Sequence, residues 1–195
     1  ASGGEAIDLG IANDDEDSLR ALAQSARGAD MLVTMGGASV GDHDLVRKVL
    51  GEVGLELKFW RIAMRPGKPL IFGRIAGTPM IGMPGNPVSS LVCGLVYLRP
   101  AIRAMLGLNP HSTRQTAFLG CDLGANDQRQ DYLRAKASKN GNGEWVATPF
   151  DKQDSSMLFR LTQAHCLILR APHAEPAHAG DRVEIIPLDG ETTGI

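Results

Sequence analysis

Hydrophobic and polar positions form strand-like and helix-like patterns in turn along the first hundred residues. Short apolar runs predict strands at 7–11, 31–35, 57–64, 69–75 and 78–83, the last two joined by a tight turn at Ala76-Gly77. The strand at 31–35 is expected to be buried. Apolar residues at helical spacing predict helices at 15–27, 44–53 and 86–106. This order predicts a layered α/β domain in which helices pack against a sheet.

The third predicted helix carries its own start and interruption signals. Asn86 is a preferred N-cap residue, and Pro87 suits the first helical position because no backbone N–H is needed there. Pro100 lies inside the helix, so we expect it to kink the helix near Val96.

The pattern changes after Asn109-Pro110. Short alternating runs occur at 114–121, 131–138, 144–148, 166–170 and 182–187, separated by Gly, Asn, Asp and Pro. Residues 140–143, Asn-Gly-Asn-Gly, are a strong hairpin signal. This spacing predicts a small β-barrel or sandwich. We therefore expect two domains, an α/β domain at 1–110 and an all-β domain at 111–195.

Composition and cysteine usage place few limits on function. The chain has 195 residues, 43% hydrophobic and 22% charged, as in an ordinary soluble globular protein. The longest apolar run is far shorter than a membrane span, and no secretory signal opens the chain. Widely spaced cysteines without a C-x-x-C pair predict reduced cytosolic thiols rather than a zinc site or disulfides: Cys93, Cys121 and Cys166.

The first residues do not resemble the start of an α/β domain. Ala1 is not a start methionine, and the first predicted strand follows it within a few residues. An α/β domain normally has a strand and a helix before such a strand. We therefore expect the chain to be a fragment that lacks this first strand and helix.

Charge is segregated along the chain although the net charge is only −2. Residues 1–56 contain 11 acidic and 4 basic residues, whereas residues 57–121 contain 8 basic residues and no acidic one. The two segments either neutralise each other on neighbouring surfaces or form a cleft with carboxylates on one side and cations on the other. Nucleic-acid binding normally needs an overall basic domain, so we do not expect it here.

Two glycine-rich loops each follow a predicted strand and precede a predicted helix. This arrangement directs backbone N–H groups and a helix N-terminus at an anion, although plain turns and helix capping are the alternative. The candidate residues of the first loop are Gly36, Gly37, Ser39 and Gly41. Those of the second loop and its helix are Pro84, Gly85, Asn86, Pro87 and Ser89.

Carboxylates near these loops are candidate metal ligands. Asp42 and Asp44 lie in the first loop, and Asp14 precedes the first predicted helix together with Asp15. Capping of a helix explains each of them without any function. The other interpretation is a Mg²⁺ site, since Mg²⁺ is held by one or two carboxylates and by substrate phosphates.

A third loop brings basic residues together. Arg65 and Lys68 stand in Arg-Pro-Gly-Lys-Pro, and Arg61 lies four residues earlier, so we expect Arg61 and Arg65 to share one face of a strand. These three cations favour a tetrahedral oxyanion or phosphate. The spacing is not that of a Walker A loop, and the histidines form no nucleophile motif, so covalent catalysis is not expected.

Together these motifs resemble the MoeA/gephyrin family of molybdopterin molybdotransferases. The resemblance rests on GGASVGDHD, FWRIAMRPGKPLIFG and GMPGNPVS, which begin at Gly36, Phe59 and Gly82, and more loosely on RQDYLR and SSML in the β region. It implies a molybdopterin-binding α/β domain, truncated at its N-terminus, followed by a small β-barrel. It also implies insertion of molybdate into adenylylated molybdopterin with a divalent cation such as Mg²⁺, releasing AMP and molybdenum cofactor.

The resemblance also assigns roles to residues. Asp14, Asp42 and Asp44 become candidates for metal and adenylate binding, with Asp44 the closest match to a family acidic position. Arg61, Arg65 and Lys68 would hold molybdate or phosphate, and Arg129 and Ser155 are candidates from the barrel. The resemblance also implies a cytosolic homodimer, in which domains that are missing here help to complete the cleft. We therefore expect the fragment alone to be inactive.

Two other functions stay open at this point. A non-catalytic module that binds a pterin or nucleotide, or that acts as a scaffold, is compatible with the gephyrin relationship. A phosphotransferase acting on another nucleotide would instead hydrolyse ATP without any need for molybdopterin.

Overall fold

The chain folds into two compact units in a computed structural model that describes residues 2–13, 15–36, 51–52, 54–111 and 114–188. The first unit holds the residues before Ala63 together with Gly67–Pro110. The second holds Ala63–Pro66 together with the residues from His111 onward. The chain therefore passes into the second unit at Ala63–Pro66, returns to the first unit at Gly67–Pro110, and belongs to the second unit from His111 onward.

The first unit contains a four-stranded mixed sheet. In chain order its strands are β1 (Leu32–Met35), β2 (Leu55–Trp60), β4 (Ile71–Ile75) and β5 (Thr78–Met83). The spatial order is β1-β5-β4-β2, with β1 parallel to β5 and β4 antiparallel to both of its neighbours. The turn Ala76-Gly77 joins β4 to β5 as predicted, with positive φ at both residues.

The first helix, α1 (Glu16–Ser25), begins where a capping carboxylate is available. Asp15 Oδ1 accepts a hydrogen bond from the Ser18 backbone N–H at 2.7 Å, which satisfies one of the free donors of the first turn. Small residues let α1 pack closely on the sheet. They form a core with strand residues: Ala23, Ala26, Leu32, Ile75 and Met80.

The long helix Pro87–Met105 has three parts: α2 (Pro87–Cys93), a π-helical segment (Gly94–Leu98) and α3 (Arg99–Met105). In the π segment the Arg99 N–H donates to the Gly94 carbonyl, five residues back. We expected Pro100 to disturb this region because it has no N–H to donate. The disturbance is a π-helical segment that contains Val96.

The long helix Pro87–Met105 is also predominantly apolar. Among the described residues it is the one helix that is long and apolar enough to cross a membrane, and 22% of its most apolar stretch is buried. Core helices of soluble proteins share this length and apolar composition, so these two properties alone are weak evidence for a membrane.

Three strand predictions in the first unit are wrong in part or in full. Residues 7–11 form no strand: Asp8 Oδ1 accepts the Gly10 N–H at 2.8 Å in a local turn, and Ile11 is 97% exposed. The predicted strand 57–64 ends at Trp60, because the chain crosses to the second unit at Ala63. The strand expected to be buried, β1, exposes 77% of Met35.

The second unit is a closed five-stranded barrel. Its strands are β6 (Gln115–Leu119), β7 (Gln130–Lys139), β8 (Trp145–Pro149), β9 (Cys166–Arg170) and β10 (Arg182–Pro187). They run in the order β7-β8-β6-β10-β9, and β9 pairs with β7 to close the barrel. The short strand β3 (Met64–Arg65) pairs in parallel with Gln130-Asp131 of β7.

The five barrel strands lie where the alternating pattern predicted them. Alternate residues point into a core of small and branched side chains: Ala117, Leu119, Ala135, Ala147, Cys166, Ile168, Ala177, Val183 and Ile185. The predicted turn at 140–143 joins β7 to β8. The layered α/β domain followed by a small β-barrel is thereby confirmed. The short helix α4 (Leu158–Thr162) was not predicted.

Candidate functional site

Two predicted loops meet at one edge of the sheet in the first unit. Gly36 follows β1 and Gly85 follows β5, and these strands are parallel neighbours, so their carboxyl ends lie side by side. The Gly36 N–H donates to the Met83 carbonyl at 3.1 Å. A Cβ atom added to Gly85 would lie 3.4 Å from the Gly36 Cα, so these backbones approach closely. This edge is where α/β sheets usually bind ligands.

The start of α2 lies at the same edge. Asn86 is its N-cap as predicted, because the Asn86 Oδ1 accepts hydrogen bonds from the N–H groups of Val88 at 3.2 Å and Ser89 at 3.5 Å. Ser89 and Pro84 are buried, while Gly85 is exposed. Asn86 is thus occupied by capping, and the exposed backbone at Gly85 is the group available to a ligand.

Several predicted site residues lie outside the described part of the chain. They are Asp14, Gly37, Ser39, Gly41, Asp42 and Asp44. Their roles in binding metal or anion therefore remain predictions. Within the part of the chain that the structure describes, no group of three or more His, Cys, Asp or Glu side chains could hold a metal ion.

The predicted cation cluster is divided between the two units, which corrects the expectation of one shared strand face. Arg61 follows the end of β2 in the first unit and has a φ of +69°, whereas Arg65 lies in β3 of the second unit. Lys68 belongs to the first unit again. Two backbone hydrogen bonds of 3.0 Å join the residues before the segment Ala63–Pro66 to those after it. The Arg61 N–H donates to the Leu70 carbonyl, and the Ile62 N–H donates to the Lys68 carbonyl.

Arg61 and Lys68 are both exposed in the first unit. The Arg61 guanidinium lies over the Trp60 ring, 4.9 Å from its centroid, in a cation–π contact. No ion pair to either cation occurs among the described residues.

Arg65, by contrast, is surrounded by acceptors of the barrel. Its Nε and Nη2 donate to Asp131 Oδ2, and its Nη1 donates to Asp127 Oδ2 at 3.2 Å. The Asp131 side chain is only 5% exposed, and its Oδ1 has no hydrogen-bond partner among the described residues. Arg65 thus compensates a buried carboxylate, a role that its sequence context did not reveal.

Arg129 shares one of these carboxylates. Its Nη2 lies 2.5 Å from Asp127 Oδ2, and its backbone N–H donates to Asp127 Oδ1 at 2.9 Å. The hydrogen bond from the Arg129 side chain is the main cause that lowers the pKa of Asp127 to about 2, assisted by its backbone N–H and by the charge of Arg65. Asp127 is therefore an anion at any pH near neutrality.

Ser155 lies in a turn that a buried arginine holds in place. Arg134 is fully buried, and its Nη1 donates to the Asp154 carbonyl at 2.9 Å. The Gln153 side chain accepts from the Arg134 N–H and donates to the Arg134 and Phe150 carbonyls. Burial lowers the pKa of Arg134. The structure thus positions the turn of Ser155 on the backbone of β7.

Sequence reasoning missed the acceptors around Arg65. Asp127 and Asp131 are 62 and 66 residues from Arg65 along the chain. Asn126 is the third, since its Oδ1 accepts from Arg65 Nη2 at 3.4 Å while its Nδ2 donates to three carbonyls. The only available signal was the turn-forming Asn-Asp pair, which gives no indication of β3.

Both interpretations of the charge segregation stay predictions, because Asp14, Asp42 and Asp44 lie outside the described residues. In the described residues, Arg65 and Arg114 of the basic segment pair with acids of the last third of the chain, Asp127, Asp131 and Glu184. Arg20 pairs inside the acidic segment itself, with Glu16, Asp17 and Glu52. Among the described residues, the one ion pair that joins the first two segments is Lys58 with Glu56, 4.0 Å apart.

Comparison with known families decides the classification. A family model described as "Probable molybdopterin binding domain" matches residues 1–104, and one described as "MoeA C-terminal region (domain IV)" matches residues 116–188. The chain belongs to the MoeA family. The resemblance inferred from the loop motifs is thereby confirmed.

Curated relatives of the MoeA family align with nearly the whole chain. A molybdopterin molybdenumtransferase of Haemophilus influenzae is 32% identical over 191 residues, which are 95% of this chain and 46% of the relative. One from Bacillus subtilis is 27% identical and covers 97% of this chain and 44% of its own length. The chain thus spans about half the length of the curated relatives that it matches.

Solved structures support the same fold. A crystal structure of a molybdopterin biosynthesis MoeA protein from Pyrococcus horikoshii superposes with a TM-score of 0.75 at 32% identity, covering 96% of this chain and 45% of that one. A molybdenum cofactor biosynthesis protein from Pyrococcus furiosus has a TM-score of 0.74 at 20% identity, covering 95% of this chain and 59% of its own. The second likeness concerns the fold alone.

Proposed function

We propose that the full-length protein carrying this chain inserts molybdenum into adenylylated molybdopterin and releases AMP and molybdenum cofactor. The observation that carries the proposal is the alignment of 95% of the chain with a molybdopterin molybdenumtransferase at 32% identity. Because the chain spans 46% of that relative, the activity is proposed for the full-length protein and not for this chain alone.

The sheet edge of the first unit supports binding of the anionic pterin substrate. Gly85 places exposed backbone beside the half-buried Gly36 at the carboxyl ends of two parallel strands, next to the N-terminus of the long helix. Backbone N–H groups in such a position bind phosphate oxygens. The candidate residues outside the described ranges, Gly37, Ser39 and Gly41, extend the same loop and are proposed to bind with it.

Molybdate is a tetrahedral dianion and needs cations that can offer several N–H donors. We assign its binding to Arg65 and Arg129, whose guanidinium groups meet at one carboxylate of the second unit. Arg61 and Lys68 of the first unit, which form no ion pair among the described residues, supply positive charge for phosphate oxygens. Ser155 supplies a hydroxyl donor from the turn that Arg134 positions.

Asp14, Asp42 and Asp44 are the proposed ligands of Mg²⁺. Carboxylates are the ligands that this ion prefers, so the donor set fits. When bound, Mg²⁺ would neutralise phosphate oxygens of the adenylylated substrate and so assist cleavage of the bond to AMP. A homodimer in the cytosol completes the proposal for the full-length protein.

The test is molybdate-dependent release of AMP from adenylylated molybdopterin by the full-length protein. Arg65→Ala and Asp44→Ala should each lower the rate at least about 100-fold, since each removes a charge that contacts the reacting groups. Glu184→Gln, which alters an exposed ion pair with Arg114, is the control and should retain the rate. Normal turnover by both alanine variants would contradict the assignment.

The same assay separates the two other functions. A non-catalytic pterin-binding or scaffolding module would bind the substrate and release no AMP under any molybdate concentration. A phosphotransferase acting on another nucleotide would hydrolyse ATP in the absence of molybdopterin.

A further inference from the structure

Arg65 and Arg129 converge on a single carboxylate oxygen in the second unit. Arg65 Nη1 and Arg129 Nη2 lie 3.2 Å and 2.5 Å from Asp127 Oδ2. Two guanidinium groups that share one oxygen atom surround an anion in the way that a bound oxyanion would be surrounded. The anion in that position here is Asp127, a residue of the protein itself.

Arg65 has almost no donor capacity left for another anion. Of its five N–H groups, the one on Nε and one on Nη2 point at Asp131, the second on Nη2 points at Asn126, and one on Nη1 points at Asp127. Among the described residues, no acceptor lies opposite the remaining N–H on Nη1. An oxyanion that binds Arg65 through two N–H groups must therefore take the place of one of these acceptors.

Charge balance leads to the same conclusion. The charges of Arg65 and Arg129 are cancelled by those of Asp127 and Asp131, so an arriving dianion meets no net attraction from this cluster. Once one carboxylate is displaced, the cluster offers a net positive charge at the point where the two guanidinium groups converge.

Only one of the two carboxylates can leave at low cost. The Asp131 side chain is 5% exposed and is tied to Arg65 by two donors, so it stays with Arg65. The Asp127 side chain is 42% exposed, and water can solvate it after it moves. Asp127 is therefore the acceptor that a ligand would replace.

We propose that Asp127 is an internal competitor of the substrate oxyanion: its carboxylate occupies the binding position between Arg65 and Arg129, and molybdate binds by displacing it. The inference rests on the proposed function in one respect only, the assignment of molybdate to these two arginines. Asp131 has the opposite effect in this account, because it holds Arg65 in place for the ligand.

The test measures binding of molybdate alone to the 195-residue chain by equilibrium dialysis, with bound molybdenum determined by mass spectrometry. Asp127→Asn keeps an oxygen atom that can accept the Arg129 N–H, but it removes the negative charge. We expect its affinity for molybdate to be about 3- to 10-fold higher than that of the unmodified chain, as expected for loss of exposed charge pairs.

Glu184→Gln is the matched control, because it also removes a carboxylate from an exposed arginine of the same unit and changes the net charge equally. Its affinity should stay within about twofold of the unmodified chain. Asp127→Ser, whose hydroxyl can also accept the Arg129 N–H, is the second variant and should behave as Asp127→Asn does. Circular dichroism checks that each variant is folded.

The outcomes separate the inference from the proposed function. If the unmodified chain binds molybdate and both folded Asp127 variants bind it equally or more weakly, Asp127 positions the arginines and the inference is wrong, while the proposed function stands. If neither the unmodified chain nor the Asp127 variants bind molybdate, the assignment of the anion to Arg65 and Arg129 fails as well. Tighter binding by Glu184→Gln to the same extent would also overturn the inference.

Discussion

Arg134 shows how single residues hold the turn that carries Ser155. The guanidinium is fully buried, and its hydrogen bonds go to the Gln153 Oε1 and the Asp154 carbonyl, while its Nη2 has no partner among the described residues. An incompletely satisfied buried charge costs free energy of folding. Gln153 offsets part of this cost, because it bonds to both the side chain and the backbone of Arg134.

We predict that Gln153→Ala destabilises the barrel by about 2 kcal/mol. The substitution removes the acceptor of the Arg134 backbone N–H and Nε–H groups, and it removes a donor to the Arg134 carbonyl. Urea unfolding should be followed by the fluorescence of Trp145, which packs against the barrel core, in a Trp60→Phe background. The exposed Gln128→Ala is the control and should stay within about 0.5 kcal/mol. An equal effect of both substitutions would show that the Gln153 hydrogen bonds do not stabilise the barrel.

At the level of elements, a β-bulge between β2 and β4 depends on a glycine. The register between these strands shifts between Leu57 and Phe59, opposite Gly73. A Cβ atom added to Gly73 would lie 2.7 Å from the Glu56 carbonyl oxygen, closer than real Cβ contacts allow. The close approach of the two backbones therefore requires the absence of a side chain.

Gly73→Ala should accordingly push β2 away from β4 and destabilise the first unit by about 1–3 kcal/mol, the usual cost of overpacking. Trp60 at the end of β2 reports on this unit in a Trp145→Phe background. Gly51→Ala in the same unit, where an added Cβ meets nothing within 4 Å, is the control. A stability loss that is no greater than that of Gly51→Ala would mean that β2 adjusts without cost.

Some secondary-structure elements could be predicted from the sequence, and others could not. The barrel strands and the cap at Asn86 were predictable, because alternation and capping are signals carried by neighbouring residues. The strand β3 was not, since Met64 reads as the end of the apolar run predicted as one strand at 57–64, and the partner strand β7 lies more than 60 residues away. For the same reason, the ion pairs of Arg65 could not be found from its local sequence.

At the level of the whole molecule, we predict that limited proteolysis first cuts the connection between the two units. Leu106 and Leu108 are about half exposed, and the helix ends at Met105. The two products should nevertheless elute together in gel filtration, because β3 stays paired with β7 and Arg65 with Asp131. First cleavage within residues 88–98 would contradict this boundary, and separation of the products would contradict the role of β3.

The segment Ala63–Pro66 belongs to the second unit although it lies between two parts of the first unit in the chain, and this limits recombination between members of the family. A chimera with a single junction near Pro110 would join a foreign barrel to this protein's own β3. The foreign β7 would then have to accept Met64 in its core and provide a carboxylate for Arg65. Inheritance of the barrel as an intact module therefore requires two separate exchanges, one of which is only four codons long.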